Sequence, residues 1–252
     1  MDSILVFPAG MTAACRYAKE ELEKAGIRVV DHPTPEVTHL LLDVPSFGTD
    51  GLLRQGGAAD ALLERLPPNI TVVGGNLTHP ALEGYQTLDL LRDPGYLAAN
   101  AAITAECALQ VAAPLMTAAF SDSPALVIGW GRIGKCLARL LKSIGTEVTV
   151  AARKEPDRAM LTALGYRAVD TAHLEDALPG CRLIFNTAPQ MLLRREQLAV
   201  YRHCAKIDLA SQLGMEGDDV IWARGLPGKY APESSGHLIA QTLLKAIREE
   251  GK

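Results

Sequence analysis

The stretch ALVIGWGRIGKCLARLLKS, residues 125–143, constrains the fold of this chain more than any other segment. An apolar run leads directly into Gly129, Gly131 and Gly134, spaced as G-x-G-x-x-G. The residues that follow carry apolar side chains at helical spacing: Ile133, Leu137, Leu140 and Leu141. A glycine turn alone also occurs in α/β domains without a ligand. In the order strand, turn and amphipathic helix, it is typical of a dinucleotide site, because the pyrophosphate can approach the helix N-terminus.

We therefore predict a Rossmann-like domain with these cofactor-binding residues at its turn: Gly129, Gly131, Arg132, Ile133 and Gly134. The end of the second strand favours one cofactor over another. An NAD site usually places Asp or Glu there, on the ribose 2′-hydroxyl. Here the strand runs into Arg153 and Lys154, whose cationic groups suit a 2′-phosphate. The residues predict NADP, while Glu155 just beyond keeps NAD possible.

Short apolar runs recur along the chain with helical stretches between them: ILVF (4–7), IRVV (27–30), HLLLDV (39–44), ITVVG (70–74) and a further series after residue 124. This alternation predicts parallel sheets covered on both faces. The Ala-rich residues 97–118 favour a helix, although Pro114 should kink or end it. The residues therefore predict an α/β protein of two parallel-sheet, three-layer domains joined by a linking helix.

The predicted boundaries are as follows: 1–96, a flavodoxin-like or Rossmann-like substrate domain; 97–118, the linking helix; 119–230, the NAD(P)-binding domain; and 231–252, a C-terminal helix packing back at the interdomain region.

Composition excludes several classes of function. The 252 residues are 48% hydrophobic and carry a formal charge of −4, so no basic stripe is available for nucleic acid. No apolar run reaches the roughly 20 residues that span a bilayer, and the N-terminus lacks a basic secretory signal. Five widely spaced cysteines suggest neither a disulfide framework nor a zinc site. We expect a cytoplasmic protein without a metal, a nucleic-acid partner or a membrane partner.

The later apolar runs should end beside the cofactor, since ligands of open α/β sheets lie outside the carboxyl ends of the strands. The residues expected to line the nicotinamide side are Asn186, Thr187, Ala188, Ala210, Ser211, Gly225, Leu226 and Pro227. Asn186 and Asp208 can also satisfy turn backbone, and for Asp208 we favour that structural role.

GLPGKYAPESSGH, residues 225–237, is a second unusual stretch. Its serines, Ser234 and Ser235, begin a helix and could hold a substrate carboxylate together with free backbone amides. Ordinary N-capping by serine is the alternative. His237 is a candidate proton-transfer group, although a lone histidine in a first helical turn is more often a surface residue.

Taken together, GWGRIG, AARK, FNTAP, IDLAS and GLPGKYAPESSGHLIAQTLL resemble, in order and spacing, the family of the dipicolinate synthase A subunit. HLLLDVPSFGTDG and NAAITAECAL are similar to that family's first-domain loop and linking helix. Two features depart from the family. The first strand leads into VFPAGMTAACRY in place of a glycine-aspartate-arginine turn, with Arg16 as a doubtful replacement, and the chain is shorter.

The resemblance implies two Rossmann-like domains with the active site in the cleft between them. It also implies NADP-dependent oxidation of dihydrodipicolinate to dipicolinate during spore formation, together with a flavoprotein-like B subunit. We expect a homo-oligomer. The substrate is a small cyclic dicarboxylate, and aromatisation supplies driving force, so the enzyme chiefly orients the ring. The candidate substrate-binding residues are Ser46, Gly48, Thr49 and Thr104, and the candidate catalytic residues are Glu106, Ser234, Ser235 and His237.

Two alternatives remain open. D-2-hydroxyacid dehydrogenases share the domain plan, but they need an arginine near the end of a late strand, and DLASQLG has none. The other alternative is a nucleotide-binding regulatory subunit without turnover, which the altered VFPAGMTAA turn keeps open.

Overall fold

The computed structural model describes residues 4–250, so residues 1–3 of the first predicted segment and 251–252 of the last lie outside the described residues. The chain divides into two compact units, Met1–Asn100 with Pro227–Lys252 and Ala101–Leu226. Each unit contains one parallel sheet with helices, which confirms two parallel-sheet α/β domains. No helix within residues 4–250 is long and apolar enough to cross a membrane.

The first unit contains a five-stranded sheet in the order β2-β1-β3-β4-β5. Its strands are β1 (Leu5–Pro8), β2 (Arg28–Val29), β3 (His39–Leu41), β4 (Thr71–Gly74) and β5 (Gln86–Asp89). Its helices include α1 (Ala13–Lys24), α2 (Ala59–Leu63) and α8 (Pro232–Glu250). The first four strands lie where the apolar runs predict them. β5 was not predicted, because QTLD contains a single aliphatic residue and forms a partly exposed edge strand.

Two helices cover one face of this sheet. α1 buries Ala14, Ala18 and Leu22, and α8 packs on the same core through residues buried along one stripe: Ile239, Ala240, Leu243 and Ile247. The other face has its own core, to which α2 contributes Ala59 and Leu63. The C-terminal helix is therefore part of the first unit, although it lies at the far end of the sequence.

Helix α3 (Pro94–Ala112) begins in the first unit and ends in the second. It is followed by a single 3-10 turn, Ala113–Leu115, which contains Pro114. The regular helix thus ends just before the proline, as predicted, because proline removes a backbone donor and its ring clashes with the preceding turn.

The second unit contains a six-stranded sheet in the order β11-β10-β9-β6-β7-β8. Its strands are β6 (Ala125–Ile128), β7 (Val148–Ala151), β8 (Arg167–Val169), β9 (Leu183–Asn186), β10 (Ala205–Asp208) and β11 (Val220–Trp222). Its helices are α4 (Arg132–Ser143), α5 (Glu155–Ala163) and α6 (Arg195–Leu198), and the short α7 (Leu226–Tyr230) begins at its last residue. The chain order reverses between β6 and β9, and a ligand crevice of an open α/β sheet opens at such a point.

Candidate functional site

The turn between β6 and α4 has the geometry that a dinucleotide site requires. Gly129 has a φ of +104°, a conformation that L side chains rarely adopt. A β-carbon at Gly134 would lie 2.1 Å from the Gly129 carbonyl oxygen, so this glycine lets the helix close on the turn. A β-carbon at Gly131 would meet no atom within 4 Å, so the backbone there faces open space.

The N-terminus of α4 is free to bind an anion. Its N-cap, Gly131, provides no side-chain hydrogen bond, whereas Thr12 caps α1 by accepting a bond from the Cys15 amide. The first-turn amides of a helix point outward and attract negative charge. Open space beside Gly131 and an uncapped helix of 12 residues therefore fit the pyrophosphate of a dinucleotide.

A pocket of about 420 Å³ extends from the glycine turn to the end of β7. Arg153, Lys154 and Asp157 are among its lining residues. Arg153 and Lys154 are exposed and form no ion pair among the side chains that the structure describes. Arg158 fixes the backbone beneath them, donating to the Ala152 and Arg153 carbonyls at 2.9 and 2.7 Å. Two cations without an ion pair thus lie at the end of β7, the strand end that faces the ribose in dinucleotide sites, with the Asp157 carboxylate in the same lining.

The ends of β9 and β10 are tied together by a buried network. Asp208 is fully buried and accepts hydrogen bonds from the Asn186 amide group and from backbone amides of a following loop: Ala210, Gly214 and Met215. The structural role predicted for Asp208 is confirmed. Asn186 also donates to the Ala188 carbonyl and accepts from the Ala188 amide, so its side chain is used inside the protein. Asn186 therefore positions the 187–188 backbone and presents no free amide to a cofactor.

A second pocket, of about 320 Å³, lies beyond this network and shares Thr187 and Pro189 with the first. Ala210 and Ser211 line it at the end of β10, together with Ile133. The two pockets together follow the carboxyl edge of the sheet. Their arrangement matches a dinucleotide lying across the reversal point, with its nicotinamide half towards β10 and β11.

Arg224 lines the second pocket and was missed by sequence analysis. It follows the end of β11 directly, in the run VIWARGLPG, where the glycines and proline drew attention instead. The sequence could have indicated Arg224, because ligands of open α/β sheets lie outside the carboxyl ends of the strands, and this rule applies to Arg224 as it does to Ser211. Gly225 lines the same pocket, whereas Leu226 and Pro227 are buried at the start of α7.

The corresponding turn of the first unit holds an internal anion. Asp43, buried after β3, accepts hydrogen bonds from the Met11 and Thr12 amides at 3.1 and 3.0 Å, and from the Thr12 hydroxyl. A β-carbon at Gly10 would lie 2.7 Å from this carboxylate. The turn VFPAGMTAA thus encloses a carboxylate of the protein at the N-terminus of α1, and this carboxylate accepts the hydrogen bonds that a bound anion would need.

The predicted substrate-binding residues of the first unit differ in their availability. Ser46 is fully buried; its hydroxyl donates to the Asp43 carbonyl and accepts from the Gly75 amide. Gly48 and Thr49 are exposed in the loop that follows. Ser46 is therefore a support for this loop, while Gly48 and Thr49 can face a ligand.

A stacked ring pair, Phe47 and His79, supports the same loop, with centroids 4.6 Å apart. His79 accepts a hydrogen bond at Nδ1 from the Ala81 amide, which places the proton of the neutral ring on Nε2. Nothing in the local sequence pairs these two residues, because they are brought together by neighbouring strands.

The remaining candidates lie on α3 and α8. On α3, Thr104 is buried and Glu106 is exposed. On α8, Ser234 is exposed and Ser235 is buried, while His237 Nε2 lies 3.2 Å from Glu21 Oε1 of α1. The segment that sequence analysis treats as one anion site is thus divided between solvent and a helix contact within the first unit.

Comparison with known proteins agrees with this geometry. Residues 96–201 match the family model described as D-isomer specific 2-hydroxyacid dehydrogenase, NAD binding domain. The A subunit of dipicolinate synthase from Bacillus subtilis (strain 168) is 32% identical over 143 residues, which are 52% of this chain and 48% of that protein. The match therefore spans about half the length of this curated relative.

Two crystal structures resemble the whole chain. The dipicolinate synthase A subunit from Bacillus halodurans has a TM-score of 0.84 at 20% identity, covering 97% of this chain and 98% of that chain. The A chain of dipicolinate synthase from Bacillus subtilis has a TM-score of 0.82 at 21% identity, covering 99% and 97%. The resemblance to the A subunit of dipicolinate synthase is thus confirmed in sequence and in fold, and residues 96–201 are similar to an NAD-binding domain, which supports a nicotinamide dinucleotide as cofactor.

Proposed function

We propose that the protein is an NADP-dependent oxidoreductase that converts dihydrodipicolinate to dipicolinate. The observation that carries the proposal is the pair of adjoining pockets along the carboxyl edge of the second sheet, one with unpaired cations at the end of β7 and one beside Ser211. Sequence similarity to the dipicolinate synthase A subunit supports the substrate class. Bound NADP⁺ would supply the hydride acceptor, and loss of one hydride and one proton from the dihydropyridine ring leaves the aromatic product.

The residues of the second unit have separate tasks in this proposal. The α4 amides beside Gly131 hold the pyrophosphate, and Arg153 and Lys154 hold the 2′-phosphate. Thr187, Ala188, Ala210 and Ser211 shape the nicotinamide half, because they line or border the second pocket. Catalysis then depends on orienting the ring against the dinucleotide and removing a proton.

The substrate contacts are a further part of the proposal. The candidate donors to the two carboxylates are Gly48, Thr49 and Ser234, which are exposed, and Thr104, which is buried. Glu106 is the candidate base because it is exposed and acidic. Ser46 acts by supporting its loop through its hydroxyl bonds, and Ser235 is buried. His237 can exchange a proton, although its partner here is Glu21. We further propose that the protein forms a homo-oligomer in the cytoplasm, acts in sporulation and works with a B subunit.

A second candidate reaction is oxidation of a 2-hydroxy acid. The family match of residues 96–201 favours it, and so does Arg224. DLASQLG lacks the arginine that this reaction needs near the end of a late strand. Arg224, however, places a guanidinium at the end of the neighbouring strand.

The proposal is tested by mixing the protein with NADP⁺ and freshly generated dihydrodipicolinate, with and without a candidate B subunit. NADPH absorbance and the ultraviolet absorbance of dipicolinate should rise together, faster with NADP⁺ than with NAD⁺. D-lactate as substrate tests the second reaction. Tight NADP⁺ binding with flat traces for both substrates would overturn the catalytic proposal and favour a regulatory subunit.

A further inference from the structure

Arg224 occupies a defined position in the second pocket. The Ala223 amide still donates to the Asp208 carbonyl at 2.8 Å, so Arg224 is the first residue beyond the ladder between β10 and β11. It lines the pocket together with Ala210 and Ser211, at the ends of two neighbouring strands. Its side chain therefore starts beside strand-paired backbone, and the residue lines the space in which the nicotinamide half of the cofactor would lie.

An aromatic ring supports the guanidinium. The Arg224 guanidinium carbon lies 5.1 Å from the centre of the Trp222 ring. Trp222 is itself held, because its Nε1 donates to the Ala210 carbonyl at 2.9 Å. A fixed ring within cation–π distance of a guanidinium restricts the positions that the guanidinium takes.

The charge of Arg224 is not neutralised. Among the side chains that the structure describes, no carboxylate forms an ion pair with it. The residues that line the second pocket include one charged side chain, which is Arg224. A guanidinium that faces a small pocket of otherwise uncharged residues attracts an anion and can bind a carboxylate through two hydrogen bonds.

We propose that Arg224 is a specificity-determining residue that binds a carboxylate of the substrate beside the nicotinamide. This inference rests on the proposed function in one respect: the second pocket must receive the reacting molecule next to the dinucleotide. The same guanidinium chemistry would also suit a phosphate of the cofactor, so the experiment separates a substrate carboxylate from a cofactor phosphate.

The test uses Arg224→Gln and Arg224→Lys in the full chain. Calorimetry measures the dissociation constant of NADPH, and then those of four probes on the NADPH-saturated protein: pyridine-2,6-dicarboxylate, pyridine-2-carboxylate, oxamate and oxalate. We expect Arg224→Gln to weaken at least one probe by roughly ten- to hundredfold, since a charge-assisted double hydrogen bond is lost. Arg224→Lys should retain part of the affinity, because it keeps the charge and loses the paired geometry. NADPH binding should remain within about twofold.

Arg202→Gln is the matched control, because Arg202 is exposed in the same unit just before β10, at the opposite end of that strand. It should bind every probe like the unmodified protein. Equal binding of all four probes by the protein and Arg224→Gln, including no binding by either, would overturn the proposal. So would a loss of NADPH affinity with unchanged probe binding, which would assign Arg224 to the cofactor phosphate. Arg224-dependent binding of oxamate or oxalate without pyridine-2,6-dicarboxylate would uphold this inference and contradict the proposed substrate.

Discussion

At the scale of single residues, the three glycines of the β6–α4 turn carry different constraints. Gly129 is required by its positive φ and Gly134 by contact with the Gly129 carbonyl. Gly131 alone of the three has empty space where a β-carbon would lie. The fold therefore needs two of the glycines, and an approaching pyrophosphate would need the third.

Gly131→Val should leave the protein folded and prevent dinucleotide binding. The added β-carbon meets no atom within 4 Å, so we expect a change in stability below about 1 kcal/mol. NADPH affinity should fall by at least about a hundredfold, because the side chain fills the space beside the pyrophosphate. Urea unfolding and calorimetry measure the two effects. Gly134→Val is the comparison and should lose several kcal/mol of stability. If Gly131→Val bound NADPH with full affinity, the pyrophosphate would not lie beside Gly131.

Arg153→Asp should reverse the cofactor preference. The substitution removes a cation from the pocket at the end of β7 and puts a carboxylate where a 2′-hydroxyl could be bound. We expect NADPH to bind roughly ten- to hundredfold more weakly and NADH to bind more tightly. Arg139→Asp, on the exposed surface of α4, is the control for charge alone. An unchanged ratio of the two affinities would show that Arg153 does not contact the 2′-phosphate.

Cys15 should make stability fall at alkaline pH. Burial, followed by the nearby Asp43 carboxylate, raises the pKa of its thiol from 9.0 to about 12. The unfolded chain releases this proton near pH 9 and the folded protein holds it, so the contribution is present below pH 9 and declines above it. The expected loss is about 1.4 kcal/mol per pH unit above that point. Urea unfolding between pH 8 and 10 should be steeper in pH for the protein than for Cys15→Ser; equal slopes would contradict the shift.

At the scale of elements, local patterns predict most of the second sheet because its strands are short, apolar and bounded by glycine or polar residues. GYRAV, RLIFNTAP, CAKIDLAS and DVIWARGLPG each contain an observed strand. The edge strand β5 escaped prediction because a half-exposed strand shows little apolar signal. The local sequence thus predicts that a strand or helix forms, whereas its packing partners depend on residues far along the chain.

The segment Ser234–His237 illustrates that limit. Its serines and glycine resemble a helix start that binds an anion. A β-carbon at Gly236, however, would lie 2.5 Å from Tyr17 Cβ and 2.6 Å from the Ala14 carbonyl oxygen. Gly236 therefore lets α8 approach α1 closely, and no pattern within the segment could reveal a partner more than 200 residues away. The same reason hid the His237–Glu21 contact.

Gly236→Ala should destabilise the first unit. Alanine is favoured over glycine within a helix by about 1 kcal/mol, so any net loss measures the contact with α1. We expect a net loss of roughly 1–3 kcal/mol from overpacking against backbone. Gly228→Ala in α7 adds a β-carbon with no atom within 4 Å and should raise stability by up to about 1 kcal/mol, because the helix preference of alanine acts there without a clash. Urea unfolding measures the change in the free energy of unfolding of both variants. A Gly236→Ala variant that is more stable than the unmodified protein would contradict the close packing of these helices.

At the scale of the whole molecule, the first unit is built from both ends of the chain. Ile239, Leu243 and Ile247 of α8 are buried in a core that begins with β1 and α1. Burying three such side chains contributes about 5–9 kcal/mol, which is comparable with the stability of an entire domain. The second unit is continuous, and the two pockets described above are lined by its own residues.

Deleting residues 232–252 should therefore unfold the first unit and leave dinucleotide binding by the second. Hydrogen exchange read by mass spectrometry should show loss of protection across β1, α1 and β3, with protection retained in β6, α4 and β9. A variant lacking residues 251–252 alone is the control and should match the full chain. NADPH should still protect the glycine turn of the long deletion, because Gly129–Gly134 and the pocket around Arg153 lie outside the first unit. Uniform loss of protection would show instead that the second unit needs the first unit in order to fold and bind the dinucleotide.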